Sequence, residues 1–192
     1  LTGRGQDEAM VDPPSIGLFY GSTNGATATV AERIRAEFAQ TYALEVELLD
    51  VAEISLEEMH DFAHIILGVP TWNIGQLQRD WEAALDEFDE VDLVGRQVAL
   101  FGLGDQVGYP DTFGDALIFV ADRVEAQGGR LAGAWPTAGY HFTRSWAIRD
   151  DQFIGLMVDE DNQPEQTEAR VAEWVRQLVQ EFGFANSAKP TV

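Results

Sequence analysis

The sequence predicts a doubly wound α/β domain, a five-stranded parallel sheet covered by helices on both faces. Three observations carry that prediction. Short runs that are apolar throughout recur along the chain, as strands buried on both faces require. Helical periodicities fill the intervals between them. The chain has 192 residues, 45% hydrophobic and 10% aromatic, which suits one domain with a sizeable core.

The elements follow in order. The first strand is Ile16–Tyr20, and Val30, Ile34 and Phe38 then recur every fourth residue on one helix face. Val46–Val51 is the second strand and His64–Val69 the third. Trp81, Leu85 and Phe88 mark a helix before the fourth strand, Val98–Leu103; Leu117, Val120 and Val124 mark another after it. A weaker run, Leu131–Trp135, begins the fifth strand. The last helix carries Val171, Trp174, Val175, Leu178 and Phe182 and ends at Gly183. All these helix faces read as core.

Between them, residues 136–166 hold a further strand-like run, Phe153–Val158. A structureless loop of that length is uncommon in a compact domain, so the segment reads as an insertion splitting the last strand. A single domain is expected over residues 15–183. Residues 1–14 (LTGRGQDEAMVDPP) lack the apolar stretch of a secretory signal. They read as a disordered or loosely held arm, and residues 184–192 as a tail.

The formal net charge is −21, from 33 acidic and 12 basic residues. Nucleic acid and anionic lipid are poor partners for such a surface. The charge reads either as solubility in a salty cytoplasm, in keeping with the single lysine, Lys189, or as preference for a basic partner. No apolar run reaches the ~18 residues a membrane span needs. Without cysteine the chain has no disulfide, thiolate nucleophile or iron–sulfur ligand.

In an open parallel sheet, ligands bind outside the carboxyl ends of the strands. Three loops leave such ends. The first lies in FYGSTNGAT, residues 19–27, and fits neither the Walker A pattern nor the dinucleotide fingerprint. Its backbone N–H groups, with Ser22, Thr23, Asn24 and Thr27, could surround one terminal phosphate at a helix N-terminus. Taken alone, it is as readily an ordinary capped turn. The second, VPTWNIGQLQ (69–78), sets Trp72 between Pro70 and Gly75, where a core position is hard to provide. The third, GLGDQVGYPDTFGDA (102–116), carries Tyr109. A planar ligand between Trp72 and Tyr109 would stack on both faces. Together the loops ask for a flat aromatic molecule with one phosphate, neutralised by dipoles rather than by a side-chain cation.

With these motifs the chain resembles the long-chain flavodoxins, the bacterial and algal FMN electron carriers. The resemblance runs from Ile16 to about Phe182. It rests on the phosphate loop, on P-T-W-N-I-G and G-x-G-D-Q-x-G-Y, and on GYHFTRSWAIRDDQFIGLMVDEDNQ, the segment that separates long-chain from short-chain members. It implies the strand order 2-1-3-4-5 with FMN at the switch point, an arrangement of which flavodoxin is the named example. Residue by residue, it assigns Ser22, Thr23, Asn24, Gly25, Ala26 and Thr27 to the FMN phosphate. Trp72 and Tyr109 would stack on the isoalloxazine ring. Thr71, Asn73, Ile74, Gly75, Gly104 and Asp105 belong to loops that contact ring and ribityl chain, the Asn73–Ile74 peptide carbonyl facing flavin N5. Asp161 stands near the ribityl hydroxyls. Asn24 replaces the second hydroxyl of the family's phosphate loop; its amide N–H₂ can still donate.

The function implied is a low-potential one-electron carrier that binds FMN non-covalently and is not an enzyme. A monomer in the cytoplasm is expected, or in the plastid stroma of an alga. The partners implied are redox proteins with basic docking faces, such as ferredoxin–NADP reductase, photosystem I, nitrogenase or a pyruvate oxidoreductase. Trimming Gly139–Val158 is expected to leave an FMN-binding domain, because short-chain relatives lack the segment. The alternative is an FMN-dependent NAD(P)H:quinone oxidoreductase of the same fold. A phosphoryl-accepting receiver would need a lysine at the strand ends, and Lys189 is the only one.

Other signals are set aside. His60 and His64 have a helical metal spacing, but His64 opens a strand. Asp159–Arg170 begins like a calcium loop and fails at Pro164 and Arg170, where glycine and glutamate are needed. The acid clusters Glu87–Glu90 and Asp159–Asp161 read as solvated surface.

Overall fold

A computed structural model describes residues 16–184. The arm expected over residues 1–14 lies outside them, as does the tail expected over 184–192 except Phe184, which is buried in the core against His64. Strands β1 (Ile16–Tyr20), β2 (Val46–Asp50) and β3 (His64–Trp72) are followed by a short β4 (Gln76–Leu77), β5 (Gln97–Leu103) and β6 (Arg130–Ala132). Then come β7 (Trp135–Pro136), β8 (Ile148–Arg149), β9 (Gln152–Phe153) and β10 (Leu156–Val158). The α-helices are α1 (Ala26–Tyr42), α2 (Arg79–Ala84), α3 (Leu117–Ala126) and α4 (Thr167–Glu181).

The main sheet runs β10-β5-β3-β1-β2, parallel throughout, with β6 also on β5 and β4 turned back antiparallel on β3. With β6 and β10 taken as one interrupted strand, the order is the expected 2-1-3-4-5. Burial on both faces explains the unbroken apolar runs: Ile65, Ile66, Leu67 and Val69 of β3 are all fully buried. On one side α1 packs against α4, burying Val30, Ile34 and Phe38 with Val171, Trp174 and Leu178. On the other, α3 buries Val120 and Val124 against β5 and β3.

The helix expected through Trp81, Leu85 and Phe88 is shorter than its periodicity suggests. α2 ends at Ala84 and a 3₁₀ stretch continues over Leu85–Glu90. Both Trp81 and Phe88 are still fully buried. Glu87 in this stretch accepts from the Ser55 hydroxyl and the Leu56 N–H, each at 2.9 Å. That acid is therefore a cap on a neighbouring turn and not merely solvated surface.

The last strand is split, and the break has a defined register. β6 pairs Arg130–Ala132 with Gln97–Ala99, and β10 pairs Leu156–Val158 with Phe101–Leu103. Only Leu100 lies between the two pairings. Gly155 fills that gap: a Cβ on it would stand 2.1 Å from the Leu100 carbonyl oxygen. The runs expected at Leu131–Trp135 and Phe153–Val158 each divide here. Trp135 and Phe153 pair in a separate antiparallel sheet, β7-β9-β8. The chain leaves β6 at Gly133, whose carbonyl accepts from the Trp174 indole (2.8 Å). The inserted sheet is held by a ring cluster of Phe113, Tyr140, Phe142 and Phe153, with neighbouring centroids 5.2 to 5.9 Å apart. Arg149 ties it to Glu125 and Asp122 of α3.

Candidate functional site

The carboxyl ends of β1, β3 and β5 open on a cleft of about 290 Å³. The first loop lines it with Thr23, Asn24, Ala26 and Thr27, the second with Pro70, Thr71, Trp72 and Asn73. The third contributes Gly104, Asp105, Tyr109 and Thr112, and Glu160 and Asp161 form a fourth wall. Four sequence-predicted residues, Ser22, Gly25, Ile74 and Gly75, stand behind or beside the lining and do not form it.

The first loop turns into α1 through Gly25, which has φ 87°. The first turn of α1 contains no acid, so its N–H groups face the cleft with nothing negative in the turn to oppose an anion. Asn24 accepts the Ala26 N–H through Oδ1 (3.1 Å), and Ser22 Oγ accepts the Ala28 N–H at a long 3.4 Å. Asn24 thus spends its oxygen on the helix start and keeps only its N–H₂ as a free donor. Between those two, the buried Thr27 lines the cleft, and among the described residues neither its N–H nor its hydroxyl has a hydrogen-bond partner.

The second loop is a tight hairpin. Thr71 pairs with Leu77 and Trp72 with Gln76 across the three-residue tip Asn73–Ile74–Gly75. Asn73 and Gly75 both take left-handed backbone, with φ 47° and 87°. A side chain at Gly75 would meet Asp115, its Cβ standing 3.1 Å from Oδ2. The Asn73 amide donates to Gln76 Oε1 (2.8 Å), which steadies the tip. Thr71 Oγ1 accepts the Ala116 N–H (3.1 Å), binding the hairpin to the entry of α3. Trp72 is half-buried and Tyr109 is 42% exposed. Among the described residues neither ring stacks on another aromatic side chain.

The third loop is shaped by carboxylates. Asp105 Oδ1 accepts the N–H groups of Val107 (3.1 Å) and Gly108 (2.7 Å) and the Asn162 amide (2.8 Å). These bonds, that from Gly108 above all, hold its carboxyl below the usual range. Asp161 moves the other way: burial raises it first, and the charges of Asp105, Asp159 and Glu160 add to the shift. Burial also raises Asp115, against the bond from the Trp146 N–H and the charge of Arg144.

The chain matches the family model described as Flavodoxin over residues 18–174. It is 49% identical to a flavodoxin of Picosynechococcus over 169 residues, covering 88% of this chain and 98% of that one. The chain belongs to the flavodoxin family. A flavodoxin of Synechococcus elongatus is 46% identical over the same shares of the two chains. Among solved structures, Fusobacterium nucleatum flavodoxin bound to flavin mononucleotide superposes with a TM-score of 0.82 at 29% identity, covering 87% of this chain and 98% of that one. Flavodoxins are electron-transfer proteins and not enzymes, which disfavours the quinone-reductase alternative and makes redox proteins the partners.

In this flavodoxin several residues that shape the site escape a sequence reading. Gln78 is buried; it donates to Thr23 Oγ1 (3.1 Å) and Asp80 (2.6 Å) and caps α2 by accepting the Trp81 N–H (3.3 Å). It therefore joins the first loop to the second. Asp159, expected on a solvated surface, is fully buried and accepts both the N–H and the amide of Gln106. The only sequence signal for the pair was the position of Gln106 inside G-x-G-D-Q-x-G-Y. The histidines fall apart, as their different elements require: His60 Nε2 accepts the Asp92 N–H, whereas His64 stacks on Phe182. No group of metal-ligating side chains occurs among the described residues, and no described helix is long and apolar enough to cross a membrane.

Proposed function

We propose that this flavodoxin binds one FMN non-covalently in the cleft and carries single electrons between larger redox proteins. One observation supports this above the rest. The same cleft holds the unpartnered N–H and hydroxyl of Thr27 at a helix N-terminus and two aromatic rings, Trp72 and Tyr109, that stack on no other ring. Such a donor set suits a monophosphate, since aligned dipoles and neutral donors attract a dianion without a lysine.

Thr27 would take phosphate oxygens directly, and Ser22 would exchange its long bond for one to the ligand. Thr23, Gly25 and Ala26 give the loop its shape, and Asn24 adds its N–H₂. Trp72 and Tyr109 would cover the two ring faces. Thr71, Asn73, Ile74, Gly75, Gly104 and Asp105 would border the ring and ribityl chain, with Asp161 towards the ribityl hydroxyls. The bound flavin supplies one-electron chemistry that no side chain here offers. The protein would exclude water from the ring faces, and the Asn73–Ile74 carbonyl would accept a hydrogen bond beside the ring. The acidic shell disfavours further negative charge on the ring and so keeps the potential low.

Partners with basic docking faces fit this shell, ferredoxin–NADP reductase, photosystem I, nitrogenase and a pyruvate oxidoreductase being of that kind. The carrier acts as a cytoplasmic monomer in this proposal. Titrating the apoprotein with FMN, riboflavin and FAD tests the reading. Tight one-to-one binding of FMN is expected, with riboflavin weaker and FAD weaker still. Equal affinity for FAD would overturn it.

A further inference from the structure

Large exposed apolar side chains are few among the described residues, and all but Val94 lie on the loops at the cleft mouth or beside it. Ile74 is 73% exposed at the tip of the second-loop hairpin, and Trp146 and Phe119 are 53% and 37% exposed nearby. Trp146 belongs to the insertion and Phe119 to the first turns of α3. Their rings meet edge to face, with centroids 6.4 Å apart and planes at 74°. Two aromatic rings held against each other in solvent form a patch that no described residue covers.

Asp115 fixes where this patch lies. Its Oδ1 accepts the Trp146 N–H at 2.7 Å, and its Oδ2 faces Gly75, beside Ile74. One buried carboxylate thus joins the hairpin tip, the entry to α3 and the insertion. The aromatic pair therefore continues the apolar rim of the cleft mouth, where Ile74, Val107 and Tyr109 are also exposed.

The charges around the pair decide what fits it. Asp122 and Glu125 stand on α3 behind Phe119, and Asp150 and Asp151 turn outward between β8 and β9. Arg149 is occupied by Asp122 and Glu125, and Arg144 donates to the Asp111 carbonyl. The bond to a carbonyl leaves the Arg144 charge in place, so the patch is an aromatic centre in a rim where these four acids outnumber two arginines. Interfaces of this form bury aromatic anchors centrally and place charge at the edge.

We infer that Trp146 and Phe119 form a docking patch for the electron-transfer partner, whose matching surface is an apolar pocket ringed by Lys or Arg. This rests on the carrier reading and deepens it, because it makes the insertion part of the partner interface beside the cleft. Val94, 70% exposed before the amino end of β5 and far from the cleft mouth, serves as the control.

The test uses the FMN-loaded protein and a ferredoxin–NADP reductase as the basic probe. The Trp146→Ser/Phe119→Ser variant should bind FMN as the parent does and pass electrons about tenfold more slowly below saturation, the loss typical of removing interface anchors. Val94→Ser should leave the rate unchanged. In the parent, hydrogen exchange at residues 117–121 and 143–149 should slow when the reductase binds, a readout that needs no variant to fold. An unchanged rate in the double variant, an equal loss in Val94→Ser, or no protection of these segments would overturn the inference. Failure of the parent to bind FMN would instead overturn the carrier reading.

Discussion

The carboxylate of Asp159, fully buried at the end of β10, accepts two hydrogen bonds from Gln106, one from its N–H (3.1 Å) and one from its amide (2.7 Å). A single pair, 53 positions apart in the chain, clips the Tyr109 loop to the edge of the sheet. Asp159 also accepts from Asn162, whose amide reaches Asp105 in that same loop. Asp159→Ala should therefore destabilise the apoprotein by about 2–3 kcal/mol, because it leaves the buried groups of Gln106 unpaired. Asp159→Asn should lose less, since it keeps one acceptor. Urea unfolding of the three proteins checks the order, and equal midpoints would remove the clip from the account.

Trp72→Ala and Tyr109→Ala should each weaken FMN binding by about 1–3 kcal/mol through lost stacking and burial. Flavin bound to the parent should be nearly non-fluorescent and brighter in each variant. Fluorescence titration measures both quantities at once. Unchanged affinity and quenching in both variants would place the rings outside the site.

Thr27→Val keeps the shape of a buried side chain and removes its hydroxyl. FMN affinity should fall by about 1–2 kcal/mol, the range for a hydrogen bond to a charged group, while riboflavin affinity should hold. Calorimetric titration with the two ligands separates a phosphate contact from a general loosening of the loop. Equal losses for both would indicate loosening.

His64 stacks on Phe182 at 4.7 Å and meets Phe184 edge-on at 4.8 Å, and its buried Nδ1 has no hydrogen-bond partner among the described residues. Burial lowers its pKa. A histidine whose folded pKa is depressed stabilises the protein above its unfolded pKa, and loses that contribution as pH falls through the folded value. The stability of the parent relative to His64→Phe should therefore decline once pH drops below about 6.5. Urea midpoints of both proteins from pH 8 to pH 5 measure the difference. A gap that does not change with pH would contradict the assignment.

Joining Ala132 to Gly155 would remove residues 133–154 and leave a continuous strand in register with Gln97–Leu103. That shortened chain should fold and bind FMN, though less stably, because Phe113 loses Tyr140, Phe142 and Phe153. Trimming Gly139–Val158, the cut suggested by sequence, removes β10 itself and should not give a folded product. Circular dichroism melts and FMN titration of both deletions decide. Identical behaviour would show that the register gap at Leu100 has no bearing on the sheet.

The central strands were legible because burial on both faces leaves continuous runs such as Ile65 to Val69. The three loops were legible because glycines, hydroxyls and stranded aromatics at strand ends have few other uses. What sequence concealed was tertiary pairing. Asp159 looked solvated because it opens a run of three acids, and nothing local announces that Gln106 will meet it. Gln78 likewise takes its role from Thr23, which folding brings to it from another loop. The end of α2 was hidden for a different reason: Trp81 and Phe88 stay buried whether the turn between them is α or 3₁₀.

The split of the last strand has a further consequence at the boundary of the sheet. Among the described residues β6 and β10 pair only with β5, so together they form one of the two outer edges of the main sheet. An unbroken seven-position margin would offer a row of free main-chain groups to any passing extended segment. Here each piece is three residues long, Leu156–Val158 is fully buried, and between the two pieces the chain leaves for the separate β7-β9-β8 sheet. An intruding strand finds no uninterrupted ladder on which to grow. The excursion that carries Trp146 outward also guards this flank against unwanted strand addition.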